Sequence, residues 1–142
     1  MLALYANTIA TAVMVGVIWF VQVVHYPLLA QFGSTQSIAV AEQHQQRTGY
    51  VVGLPMLVEG VSTLWLLART PDGVAVLLPW VNAVLLAVAL GSTVLVSVPL
   101  HAKMALAHND ETGRRLVLTN WPRTIAWTAR LALCGVMLAQ LS

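Results

Sequence analysis

Asn120-Trp121-Pro122-Arg123-Thr124-Ile125-Ala126-Trp127-Thr128-Ala129-Arg130 opens the last long apolar run of the chain and sets two arginines and two tryptophans where lipid-facing residues are expected. At about 100° per residue, Asn120, Arg123, Trp127, Arg130 and Cys134 fall within an arc of roughly 80°, so one narrow stripe of this helix is polar and cationic. Arginine at bilayer depth costs at least about 2.5 kcal/mol and normally turns toward a partner or a wet cavity. The stretch therefore predicts a membrane helix with one inward face, and the rest of the chain must supply what that face meets.

The composition agrees. Of 142 residues, 58% are hydrophobic and only 8% charged, and the mean hydropathy is +0.79, whereas a soluble domain carries about 25% charged residues. The net charge of +2 rests on seven basic against five acidic residues, too few for a nucleic-acid surface. One cysteine, Cys134, excludes an internal disulfide and a cysteine-pair metal motif. No Lys or Arg precedes the first apolar run and no convincing cleavage site follows it, so the N-terminal segment reads as a retained helix.

Upstream of the quoted stretch, three more apolar segments stand out. Residues 2–30 lack Asp, Glu, Lys and Arg, and Asn7, Thr11, Gln22 and His25 form a polar stripe about 60° wide that should face other helices. Pro27 should kink or end that helix. Residues 31–48 are polar and read as a connection in which Glu42 to Gln46 could form a short interfacial helix. Residues 50–68 are the second span, entered through Gly49 and Gly53, a spacing that lets helix backbones approach closely. Glu59 sits near its middle.

The run Arg69-Thr70-Pro71-Asp72-Gly73 is a tight turn. Residues 74–100 are the third span, with Asn82, Thr93, Ser97 and His101 on a loose polar face about 100° wide. A charged connection, 101–119, with helix as far as His108, leads to the fourth span, 121–141. The expected fold is an all-α integral membrane antiparallel four-helix bundle, one domain over 1–142, with two long cytoplasmic connections. Arg47, Lys103, Arg114 and Arg115 lie on those connections and only Arg69 on the other side, so both termini are expected outside. Tyr5, Trp65 and Trp80 would mark the outer interface and Tyr26, Tyr50 and Trp121 the inner one. A weak repeat, in which one register shift places Arg47 on Arg114 and Pro55 on Pro122, reads each half as span, long connection, span.

Spans two and four run in the same direction, so those two prolines also compare depths. Glu59 then lies about 5 Å from the level of Arg123 and of Arg130, and is expected to pair with Arg130, Arg123 or both. That cluster is either a clamp between helices, with Trp127 packed over it, or catalytic machinery. His25 and His101, at the inner ends of parallel spans, with His44 on the connection between, can ligate haem or hold a metal ion with Glu59, or serve only as hydrogen-bonded interface anchors. No diagnostic spacing supports them: His-x-x-x-His, Glu-x-x-His and CxxC are all missing. A third arrangement holds a quinone or a polycyclic ligand between Trp127, Met56 and the first-span stripe, its oxygens on His25, Arg123 and Asn120. Transport and hydrolysis find less support, because the broken helices of many carriers are missing unless Pro79 or Pro99 makes one, and no Ser has an evident His and acid at matched depth.

The plan of four spans, with Asn120, Trp121 and Arg123 ahead of Arg130 at the start of the last, resembles small bacterial membrane proteins related to the anthrone-oxygenase-like family. The resemblance implies oxygen or quinone-type chemistry on an aromatic substrate, in a bacterial cytoplasmic membrane. It transfers no catalytic residue one by one. The leading expectation is a cofactor or lipophilic-ligand site with redox or oxygenase-type chemistry. The rival is an accessory subunit of a larger membrane complex, or of a homo-oligomer, in which the polar stripes only hold helices together.

Overall fold

The computed structural model describes residues 1–29, 34–100 and 110–141. Among them the chain is all helix, without a strand. Helix α1 (Leu2–Phe20) passes through a π-helical turn, Val21–His25, into the short α2 (Tyr26–Leu29). Helix α3 spans Ser34–Ala68, and α4 (Leu77–Ser92) runs into a second π-helical turn, Thr93–Ser97. The short α5 (Asp110–Thr119) leads through Asn120 to α6 (Trp121–Ala139). Three segments, Leu2–Leu28, Gln46–Ala68 and Leu77–Leu100, are long and apolar enough to cross a membrane. At 19 residues α6 is about 28 Å long, but Arg123 and Arg130 lower its apolar character.

Two local expectations change. The connection at 31–48 is helical from Ser34 onward and continuous with the second span. Its Ala, Gln and Glu are good helix formers, and no Gly or Pro interrupts 34–48. The helix expected to end at His108 falls on residues outside those described, while the following Asp110–Thr119 is helical.

Both π turns have the same origin. A proline ring clashes with the carbonyl four residues earlier and offers no N–H to it, and Pro27 and Pro99 each lie two residues beyond the end of a π turn. Widening the helix there lets the chain pass each proline without ending. At the other end of the molecule, the Val74 N–H donates to the Pro71 carbonyl at 3.1 Å. Gly73 takes φ +91°, a conformation open to glycine. The Gln140 side chain accepts from the Ala75 N–H at 3.0 Å and ties the end of α6 to this turn.

Hydrogen bonds and core contacts set the packing. Asn7 meets Ser62 and Thr63 while Thr11 meets Glu59, so α1 and α3 are antiparallel. Asn82 meets Arg130 and Ser97 meets Arg123, which makes α4 antiparallel to α6. Asn7 meets Cys134 and Gln22 meets Asn120, so α1 is also antiparallel to α6. Leu4, Leu66, Val74, Cys134 and Met137 form one apolar cluster, at the turn end. Met14, Ile18, Ala89, Ala126 and Trp127 form a second at mid-height, and Val21 and Tyr26 a third beside Val117 of α5.

The distribution of residues is inverted relative to a water-soluble protein. Leu2 is 84% and Leu95 76% exposed, while Glu59, Arg130, Asn7 and Asn82 are all at 0%. Large apolar side chains cover the outside along every long helix, far more than the few hundred Å² a soluble monomer shows. Tyr5, Trp65, Trp80, Tyr50 and Trp121 are exposed, as belt residues would be, but Tyr26 is buried and faces the other helices. Gly49 and Gly53 do not mediate a close helix crossing: a Cβ on either would meet nothing within 4 Å.

Candidate functional site

Two polar assemblies occupy the interior, at different heights. The first is built on Glu59, a residue that only α3 could bring to mid-helix depth. Arg130 Nη1 bonds Glu59 Oε1 at 2.5 Å, with both side chains fully buried. The same carboxylate accepts from Thr11 Oγ1 at 2.8 Å, and from the Trp127 indole at 3.2 and 3.1 Å. Arg130 Nε donates to Asn82 Oδ1 at 2.9 Å, and Nη2 to Thr63 at 3.3 Å. Asn7 closes the ring: it accepts from Asn82 at 3.0 Å and from Cys134 at 3.4 Å, and donates to Ser62 at 2.8 Å and Thr63 at 3.0 Å.

This assembly draws on α1, α3, α4 and α6, carries one charge of each sign, and leaves none of its buried side-chain polar atoms without a partner. In hydrocarbon an unmade hydrogen bond has no water to replace it, so a closed network is the arrangement that tolerates burial. Of the residues expected to do chemistry, Glu59 and Arg130 come together here and Arg123 does not. Asn7, Asn82, Ser62 and Thr63 were not singled out as partners of the pair. The positions of Asn7 and Asn82 on polar faces were legible, but those of Ser62 and Thr63 were not, nor was which face met which.

The second assembly lies nearer the α5 end. Arg123 Nη1 donates to Ser97 Oγ at 2.8 Å, the guanidinium carbon sits 5.7 Å from the Trp127 ring centroid, and the Tyr26 hydroxyl is its other hydrogen-bond neighbour. Arg123 Nε is buried without a partner, and neither Glu59 nor Asp72, the carboxylates among the described side chains, forms an ion pair with this cation. Beside it, Asn120 donates to Gln22 at 2.8 Å and Gln22 donates to the Val117 carbonyl at 3.1 Å, which anchors α5. Trp19 donates to Thr128 at 3.1 Å and meets Trp121 edge to face, at 5.9 Å between centroids.

Arg123 forms part of the wall of a cavity of about 180 Å³. The wall is otherwise mostly apolar, with Met14, Val17 and Ile18 of α1, Val21 of the first π turn, and Val52 and Met56 of α3. Both π turns border it, through Val21 on one side and Thr93 and Ser97 on the other. π-Bulges inside α-helices occur often at functional sites. The two prolines were the available sequence signal for these turns.

Of the expected ligand residues, Met56 and Arg123 line this cavity, Trp127 packs beneath the guanidinium, and Asn120 is engaged with Gln22 and Thr124. His25 is half-buried, its ring 6.2 Å from that of Tyr26, and lines a neighbouring groove with Arg47. The His44 side chain and His101 lie outside the described residues. Among the described residues no three of His, Cys, Asp and Glu are grouped as metal ligands would be. The chain matches no family model, no curated protein and no solved structure.

Proposed function

We propose that the protein is an integral membrane four-helix bundle that binds a small lipophilic molecule at Arg123, through an oxygen acceptor on that molecule. Both termini lie outside and the Arg47 and Arg114 ends face the cytoplasm of a bacterial cell. One observation carries the reading: a half-buried arginine whose Nε is buried and unpartnered, and which neither Glu59 nor Asp72, the carboxylates among the described side chains, pairs with, borders a mostly apolar cavity. Such a group favours an anionic or strongly accepting oxygen, and the apolar walls favour a ring.

Size narrows the choice. An apolar cavity of about 150 Å³ accepts benzene, so 180 Å³ suits a single-ring quinone or phenol and is small for a polycyclic ligand. The chemistry of such a site is redox chemistry of the bound ring, in line with the anthrone-oxygenase-like resemblance. Haem or metal held by His25, His44 and His101 remains the variant of this reading that an optical spectrum and metal analysis of the mildly solubilised protein would detect. Arg123→Gln should weaken binding of a benzoquinone to the protein in lipid nanodiscs at least about tenfold, because a charge-assisted hydrogen bond contributes about 1.5–3 kcal/mol. Equal binding by Arg123→Gln and the parent protein would remove Arg123 from the site.

A second reading, a non-catalytic accessory subunit, draws support from the closed Glu59 network and from an apolar groove of about 650 Å³. Leu2, Ala6, Leu57, Val61 and Trp65 contribute to its lining. In that reading a helix of another membrane protein seats in the groove. A colourless, metal-free preparation that retains a stoichiometric partner subunit would favour it.

A further inference from the structure

The cavity at Arg123 borders a second space. Val17, Val21 and Thr48 belong both to its wall and to that of a groove of about 390 Å³ between α1 and α3. The groove adds Gly16, Phe20 and Val51, all exposed on the outer surface of the two helices, together with His25 and Arg47. Behind the cavity Trp127 and Ala126 of α6 pack with Met14 and Ile18, and Tyr26 packs with Val21 near Val117, while Gly49 and Val98 of its wall are exposed. At Gly16 the groove has open space, since a Cβ there would meet nothing within 4 Å.

We infer that the ligand held at Arg123 carries an alkyl chain, which leaves the cavity sideways through the groove beside Gly16, so that the molecule exchanges with the bilayer. The inference rests on the ring-binding reading above and adds the direction of access and the chain. Lipid tails are as apolar as the Val and Phe side chains of the groove, so the chain gains little affinity on leaving the bilayer. What it needs is room, and that separates the inference from a simple hydrophobic attraction.

The test uses the full chain in lipid nanodiscs, with two probes: a dimethoxy-methyl-benzoquinone without a side chain, and the same ring bearing a decyl chain. Affinities are expressed per mole of lipid. The parent protein is expected to bind both within about threefold of each other, because the chain is solvated equally well in either place. Gly16→Phe fills the groove from a position with open space around it, so the fold is retained. It should weaken the decyl probe at least about tenfold, by steric overfilling, and leave the ring-only probe within about threefold. Undiminished binding of the decyl probe by Gly16→Phe overturns the lateral path and leaves the cavity reading standing; a lipid acyl chain would then be the occupant of the groove. Failure of the ring-only probe to bind the parent protein removes the cavity reading itself.

Discussion

Replacing Arg130 with leucine should cost far more than the hydrogen bonds it removes, and a second substitution on another helix should return most of the excess. In Arg130→Leu the Glu59 carboxylate keeps Thr11 and Trp127 but loses its counterion at 0% exposure. Breaking a buried pair from one side costs about 3–5 kcal/mol. Glu59→Gln added to Arg130→Leu removes the stranded charge, and a glutamine side-chain oxygen can still accept from Thr11 and Trp127. What stays lost are the guanidinium bonds to Asn82, to Thr63 and to residue 59 itself. At about 0.6 kcal/mol for each interhelical hydrogen bond in a membrane protein, that is about 2 kcal/mol. The double variant should therefore be about 1–3 kcal/mol more stable than Arg130→Leu alone. Reversible unfolding of parent, single and double variants in mixed micelles gives the full thermodynamic cycle. A double variant within about 0.5 kcal/mol of Arg130→Leu would refute the reasoning, since contacting residues couple by more than that.

Asn7→Ala should lower stability by about 1–3 kcal/mol in the same assay, because it strips partners from Ser62, Thr63, Asn82 and Cys134 together. Thr11→Val, which removes one bond to Glu59, should cost about 0.6 kcal/mol, and an equal effect of the two would deny Asn7 its central place. Cys134 is fully buried, so maleimide should modify it at least about a hundredfold more slowly in the folded protein than in denaturant. Rapid modification of the folded protein would contradict the packing of α6. In a Cys134→Ala background, a membrane-impermeant maleimide should label Asp72→Cys in intact cells and Arg115→Cys only after permeabilisation, both parent side chains being exposed. The opposite pattern would invert the orientation assigned from the positive charges.

Several of these features were legible in the chain because they are periodic or local. The polar stripes of α1 and α6 follow from helical spacing alone, and Asn7, Thr11, Arg130 and Cys134 are indeed inside. Matching Pro55 with Pro122 placed Glu59 within reach of Arg130, because equal rise per residue makes depth along parallel helices comparable. The same argument set Arg123 equally near Glu59. It could not distinguish the two arginines, since depth says nothing about rotation: Arg123 faces Ser97 and Tyr26. Pro27 was expected to kink or end its helix; the structure has a π turn just ahead of it, and helix continues to Leu29, an outcome that depends on what packs around the freed carbonyl.

What the sequence by itself determined is the four long apolar segments, their apolar outer surfaces and the polar faces of α1, α4 and α6, all of which follow from composition and a 3.6-residue period. The tertiary structure decided which inward residues exhaust one another's hydrogen bonds and which do not. It closed the ring around Glu59 and Asn7, left Arg123 Nε unmatched, and opened the space between α1 and α3. A cavity is what remains after side chains from several helices have been fitted together. It therefore depends on helix rotation and on the two π turns, which no single segment of the chain encodes.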